Sequence, residues 1–286
     1  MQSTTNNRNI PSAADGGTAP AAPGSGTAHV TSADGTAIAY TKAGAGPVLV
    51  MVDPALGFRR FGPNPAIAET LSATFTVYSY DRRGRGESTD TAPYAVAREL
   101  EDLAAILDIA GDAACVFGYS SGAVLVLHAA LAGLPIRRMV LFEPPLDFPD
   151  EPAPDSDLGS ELDELVRAGR RGDAVLHFNR SIGVPESMVA KLTSAPAWPE
   201  LEKLAHTLVY DSAVTSGFDI ARLGDITVPT LLLDSSGSDD RIRSWAARAA
   251  AALPSGTYRS LDGAWHGADP AAVAAAVTDY CAAGTR

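Results

Sequence analysis

Short apolar runs, each stopped by Gly, Pro or Asp, alternate along this chain with longer stretches in which Ala, Leu and Val recur at helical spacing. Residues 29–32 and 36–41 flank Ala33-Asp34-Gly35, a hairpin turn signal, so the fold is expected to open with an antiparallel pair. The runs at 47–52 and 75–80 are separated by a helical stretch near 65–73 and read as a βαβ unit. The rhythm repeats with a helix over 94–110, a strand at 114–117, a helix over 121–134 and a strand at 138–142. Strands this continuously apolar are expected inside a parallel sheet covered on both faces. From 144 to 228 the alternation stops: Pro-rich acidic sequence gives way to helical stretches near 161–168, 173–179 and 201–210. It resumes with a strand at 229–233, a helix over 241–253, a strand at 257–261 and a closing helix over 270–282. The domain reading is therefore a leader at 1–27, a core made of 28–143 and 229–286, and an inserted helical cap at 144–228.

Composition narrows the partners. With 286 residues and 46% hydrophobic side chains the chain can bury a sizeable core. A net charge of −12 repels phosphate backbones and anionic membranes, so neither nucleic acid nor membrane is an expected partner. Residues 1–27 carry neither a charged start followed by an apolar run nor an amphipathic Arg pattern, and read as a floppy leader on a cytoplasmic protein. The two cysteines, Cys115 and Cys281, lack metal-ligand spacing and read as reduced, buried thiols. No metal or organic cofactor is expected. The acidic stretch at 147–164, without Lys or Arg, reads as solvated surface, and Arg59 and Arg60 read as loop arginines.

The chemistry begins at Gly118-Tyr119-Ser120-Ser121-Gly122, which falls between an apolar strand and an apolar helix. A sharp strand-to-helix turn crowds its neighbours, so small residues must flank an exposed serine, and Ser120 is the candidate nucleophile. The backbone N–H of Ser121, at the start of a helix, is positioned to stabilise an oxyanion. A serine hydroxyl needs a base. Of the five histidines, His266 alone lies in a loop between the last strand and the last helix; His29, His128, His177 and His206 fall in the hairpin, the elbow helix and the cap.

With these features the chain resembles an α/β-hydrolase over 30–282, in its elbow at Ser120, its turn from Asp81 to Ser88 after an inner strand, its late His266 and its cap after the sixth strand. The resemblance implies a mostly parallel eight-stranded sheet with helices on both faces. It also implies the chain order serine, acid, histidine, and a second oxyanion donor just after the third strand. That donor would be the N–H of Ala55, although Asp53-Pro54 stands where the family usually has His-Gly. The acid is open. Family members often place an aspartate 28 residues before the histidine, where this chain has Ser238, with Asp239 and Asp240 just beyond. The haloalkane-dehalogenase-like branch instead carries a glutamate after strand six, and here Glu143 stands at that place. Glu143 is the favoured acid, with Asp239, Asp240 and Asp234 as alternatives. The implied activity is hydrolysis of a small to medium, largely uncharged carboxylic ester or lactone through an acyl-enzyme. Carbon–carbon hydrolysis, thioester cleavage or perhydrolysis on the same fold are alternatives, as is a ligand receptor with little turnover. Oligomeric state is not legible.

Overall fold

The computed structural model describes residues 26–111, 114–150 and 157–282. The expected leader lies almost wholly outside the described residues, as do Glu151 and Asp155 of the acidic stretch. Strands β1 (Ala28–Thr31) and β2 (Ala37–Ala43) form the opening hairpin. There follow β3 (Val48–Val52), α1 (Asn64–Leu71), β4 (Thr76–Tyr80), α2 (Val96–Ala110), β5 (Ala114–Tyr119), α3 (Ser121–Leu131) and β6 (Ile136–Phe142). A helical segment then supplies α4 (Leu158–Arg167), α5 (Arg171–Ser181), α6 (Glu186–Leu192), α7 (Trp198–Leu204) and α8 (Thr207–Ser216), with a 3₁₀ turn at Ile220–Asp225. The chain returns through β7 (Thr230–Ser235), α9 (Asp240–Ala252) and β8 (Gly256–Leu261), a small hairpin of β9 (Gly263–Ala264) and β10 (Gly267–Ala268), and α10 (Pro270–Ala282).

The eight main strands lie in the order β1-β2-β4-β3-β5-β6-β7-β8. The β1–β2 and β2–β4 pairs are antiparallel, and every pairing from β4 through β3 to β8 is parallel. Period-two alternation divides the core. Val50, Val52 and Val116 face α2, α3 and α9, through Leu103, Val124 and Ala246. Leu49, Met51, Cys115 and Phe117 face the other way, onto Ile67 of α1 and Val273 and Val277 of α10. A third apolar cluster holds the helical segment together around Leu162, Val175, Val189, Leu201 and Leu208, and includes Phe61 from the loop after β3. In this arrangement the loops after β3, β5, β6, β7 and β8 all leave from the carboxyl ends of parallel strands, the edge at which open α/β sheets bind ligands.

Two helical readings change. The stretch read as one helix over 201–210 is α7 and α8, broken at Ala205–His206 where i→i+3 bonds from Ala205 N to Glu202 O and from Leu208 N to Ala205 O tighten the chain. Helix α6 went unread because its seven residues, entered through Pro185, are shorter than the window in which helical periodicity shows. No helix among the described residues is long and apolar enough to cross a membrane. Cys115 and Cys281 are both free and buried.

Candidate active site

Strand β5 ends at Tyr119 and α3 begins at Ser121, leaving Ser120 to turn the chain. It does so at φ 52°, ψ −123°, a conformation that L side chains adopt only under constraint. Close packing is the constraint. A Cβ on Gly118 would stand 2.6 Å from Ala123 Cα, and one on Gly122 would stand 2.6 Å from Asp53 O and 2.7 Å from Val52 O, so neither position can carry a side chain. The Gly122 contact also sets the first turn of α3 directly against the end of β3. Beyond β3, Gly57 N donates to Pro54 O at 3.1 Å, closing a tight turn with Ala55 and Leu56 at its tip.

Four non-glycine residues among those described have positive φ: Leu56 at 59°, Ser120 at 52°, Glu143 at 45° and His266 at 50°. Three are the residues read from the sequence as nucleophile, favoured acid and base, and the fourth adjoins Ala55. Such conformations cost on the order of 1–3 kcal/mol each and persist where the surrounding structure over-determines them, commonly at functional sites.

The surroundings of His266 are dense. Its Nδ1 donates to Glu143 Oε2 at 2.5 Å, and its backbone N donates to Ser238 Oγ at 2.8 Å. Its carbonyl accepts from Tyr119 Oη at 2.6 Å, and its ring stands edge-on to the Tyr119 ring with centroids 5.5 Å apart, which ties the histidine to the residue preceding Ser120. Burial, and then the Glu143 charge, push the Tyr119 phenol well above its ordinary range, so it remains a donor. The second oxygen of Glu143 accepts from Ser235 N at 2.7 Å, and the side chain is fully buried. A carboxylate against Nδ1 keeps the proton there and leaves Nε2 as the basic nitrogen.

The alternative acids sit elsewhere. Asp239 caps α9, accepting from Ile242 N at 2.9 Å, and Asp240 is fully exposed. Asp234 accepts from Tyr258 Oη at 2.6 Å. Ser238, at the spacing where the family often has its acid, holds the backbone of His266 instead of its ring. The remaining histidines have other partners: His29 Nε2 lies 3.4 Å from Glu87 O, His128 Nε2 2.9 Å from Val214 O, His177 Nε2 2.6 Å from Glu161 Oε2 and His206 Nδ1 3.0 Å from Lys203 O. Arg59 is buried and bonds Glu87 and Asp81, and Arg60 bonds Glu87 at 2.7 Å.

Joined to the site through Ser121 is a buried ionic network whose only sign in the sequence is the turn after β4. Arg82 donates to Glu99 at 2.6 and 2.7 Å, and to Asp211 Oδ1 at 2.7 Å. Arg85 donates to both Asp211 oxygens, at 2.9 and 2.8 Å, and also to Pro54 O at 2.6 Å and Gly57 O at 3.1 Å. Ser121 Oγ donates to Asp211 Oδ1 at 2.8 Å, so the side chain of Ser121 has a partner as well as its backbone amide. Asp53 is buried beside this network. Burial, and then the charge of Asp81, lift its carboxyl from 3.8 to about 8, and burial lifts Asp81 to about 6.

A groove of about 390 Å³ lined by Glu161, Glu164, Leu165, Ala168, Arg170 and His177 lies on the helical segment and contains none of Ser120, Glu143 and His266. Among the described residues no group of three or more His, Cys, Asp or Glu is placed to hold a metal ion.

Residues 43–276 match the model of the alpha/beta hydrolase family. An alpha/beta hydrolase from Sphaerobacter thermophilus DSM 20745 is 46% identical, with a TM-score of 0.82 over 88% of this chain and 99% of that one. The esterase RhEst1 from Rhodococcus sp. ECU1013 superposes with a TM-score of 0.63 at 19% identity, over 90% of this chain and 98% of that one. An N-formylmaleamic acid deformylase from Pseudomonas putida S16 gives 0.59 at 20% identity, over 84% and 94%. The last two share the fold and leave the substrate of this chain open.

Proposed function

We propose that this chain, which belongs to the alpha/beta hydrolase family, is a serine hydrolase acting on a small to medium carboxylic ester or lactone. In this reading Ser120 attacks the carbonyl, His266 Nε2 takes the serine proton and returns it to the leaving oxygen, and Glu143 holds the imidazole in its tautomer and stabilises its protonated form. The backbone N–H groups of Ala55 and Ser121 stabilise the tetrahedral oxyanion. Water then attacks the acyl-enzyme along the same path. The observation that carries the reading is the pairing of Glu143 with His266 Nδ1 at 2.5 Å, with Tyr119 tying that histidine to the strained turn at Ser120.

The helical segment at 144–228 acts as the cap over the carboxyl ends of the strands. Its apolar cluster takes in Ala55, Leu56 and Phe58 from the loop after β3, which favours an uncharged acyl group beside the oxyanion donors. The test is a fluorophosphonate probe followed by a series of p-nitrophenyl esters and lactones. Rapid labelling at Ser120, with labelling and turnover lost in Ser120→Ala and His266→Ala, supports the reading. A wild-type protein that neither labels nor turns over would instead favour the receptor alternative.

A further inference from the structure

The two proposed oxyanion donors come from parts of the chain far apart in sequence, the turn after β3 and the start of α3, and both must stay aimed at one point. The bonds that hold them converge on a single side chain. Arg85 Nη1 grips the carbonyls of Pro54 and Gly57, on either side of Ala55 and Leu56, and Arg82 Nη1 reaches Asp53 O at 3.3 Å. Both guanidinium groups are oriented by Asp211, and so is the Ser121 hydroxyl. Asp211 belongs to α8, within the helical segment. That helix joins two cores, with Leu208 in the apolar cluster of the segment and Val214 in the cluster beneath the sheet. Its neighbour Tyr210 reinforces the seat, stacking on Tyr94 at 3.9 Å and donating to Asp90 at 2.8 Å.

We propose that Asp211 is a positioning residue for the oxyanion hole, through which the helical segment sets the geometry of both donors; this rests on the serine-hydrolase reading above. Asp211 Oδ1 accepts from Arg82, Arg85 and Ser121, and Oδ2 accepts from Arg85, an arrangement that only a carboxylate can satisfy. Burial alone would raise this carboxyl, but Arg85 and Arg82 outweigh burial and the net direction is down, so it remains ionised. An amide in its place turns one oxygen into a donor facing Arg85. The arginine must then swing, and the turn bearing Ala55 loses the grip on its carbonyls.

The test compares wild type with Asp211→Asn and Ser121→Ala, using kcat and KM on p-nitrophenyl acetate, the rate of fluorophosphonate labelling and the Ki of a trifluoromethyl ketone. The ketone forms a charged tetrahedral adduct on serine and so reports the oxyanion hole itself. In folded Asp211→Asn, kcat and labelling rate are expected to fall by about 10–100-fold, the Ki of the ketone to rise in parallel and KM to stay within about threefold. In Ser121→Ala, which keeps the amide and loses one bond to Asp211, a fall of about 3–10-fold is expected. A folded Asp211→Asn with kcat and ketone Ki within twofold of wild type overturns the inference, as does a loss confined to KM. If Asp211→Asn does not fold, Ser121→Ala decides alone, unchanged values overturning the inference. A wild type that neither labels nor hydrolyses would overturn the functional reading, and this inference with it.

Discussion

Replacing Glu143 by Gln leaves volume and burial unchanged and inverts one hydrogen bond. Glu143 uses one oxygen for Ser235 N at 2.7 Å and the other for His266 Nδ1 at 2.5 Å, and both of those groups are donors. A glutamine has one acceptor to offer two donors. If its oxygen stays on Ser235, its NH₂ meets Nδ1, and the imidazole must move its proton to Nε2, where it could no longer take the Ser120 proton that the proposed mechanism assigns to it. If the amide turns over, Nδ1 keeps its proton but the buried Ser235 N–H loses its acceptor, at a cost of roughly 1–3 kcal/mol. The protonated imidazole formed during attack loses its counter-charge in either case. The expected fall in kcat is up to about 10⁴, by analogy with the amide replacement in another serine triad, or roughly 5 kcal/mol of transition-state stabilisation. Steady-state hydrolysis of p-nitrophenyl acetate measures it, with Asp234→Asn, Asp239→Asn and Asp240→Asn in parallel and a melting curve to establish folding. The Asp239 variant keeps its cap, since asparagine serves that position as well as aspartate. A folded Glu143→Gln enzyme within tenfold of wild type, or an Asp239→Asn enzyme crippled to the same degree, would refute the reasoning.

Asp53→Asn tests the buried carboxyl. Because folding raises its pKa from 3.8 to about 8, the native state holds a proton that the unfolded chain releases, and stability falls as pH rises across that window, by at most roughly 6 kcal/mol. The variant should flatten urea-midpoint against pH between about 6 and 8, keeping the slope below 6 that Asp81 supplies, and an unchanged profile would contradict the assignment. Gly122→Ala places a Cβ against the backbone oxygens of Val52 and Asp53, so a stability loss of about 1–3 kcal/mol and a disproportionate fall in kcat are expected. Normal kcat in that variant would show that the spacing between the end of β3 and α3 does not matter. Leu165→Ala and Trp198→Ala, against the apolar cluster of the helical segment, should shift preference among p-nitrophenyl esters of different chain length more than turnover of the shortest one. Equal loss across all chain lengths would assign those residues to folding.

Features that depend on local chemistry are legible along the chain. Once the apolar run at 48–52 is read as a strand, Leu49 and Met51 must share one face and Val50 and Val52 the other, because the pleat has period two. The elbow is legible for the same reason: Gly118 and Gly122 are demanded by contacts within a few residues of the turn or with the adjacent strand end, and His266 stands alone in its loop. The choice among Glu143, Asp234, Asp239 and Asp240 was different in kind. Each is a carboxylate at a strand end or helix start with an acceptable spacing, and the distinction is which one the parallel pairing of β6 with β7 carries beside the loop after β8. The break between α7 and α8 escaped periodicity because helical backbone continues through Ala205 and His206 while the hydrogen bonds tighten to i→i+3. Asp211 left no trace in sequence at all. It lies 90 residues from Ser121 and 126 from Arg85, and an isolated acid on a helix reads as solvated surface until packing buries it and sets two arginines and a serine against its carboxylate. Spacing along a chain registers contacts between neighbours. Burial of charge is a property of the closed tertiary structure, because the desolvation that makes such a network selective arises only when all its elements pack together.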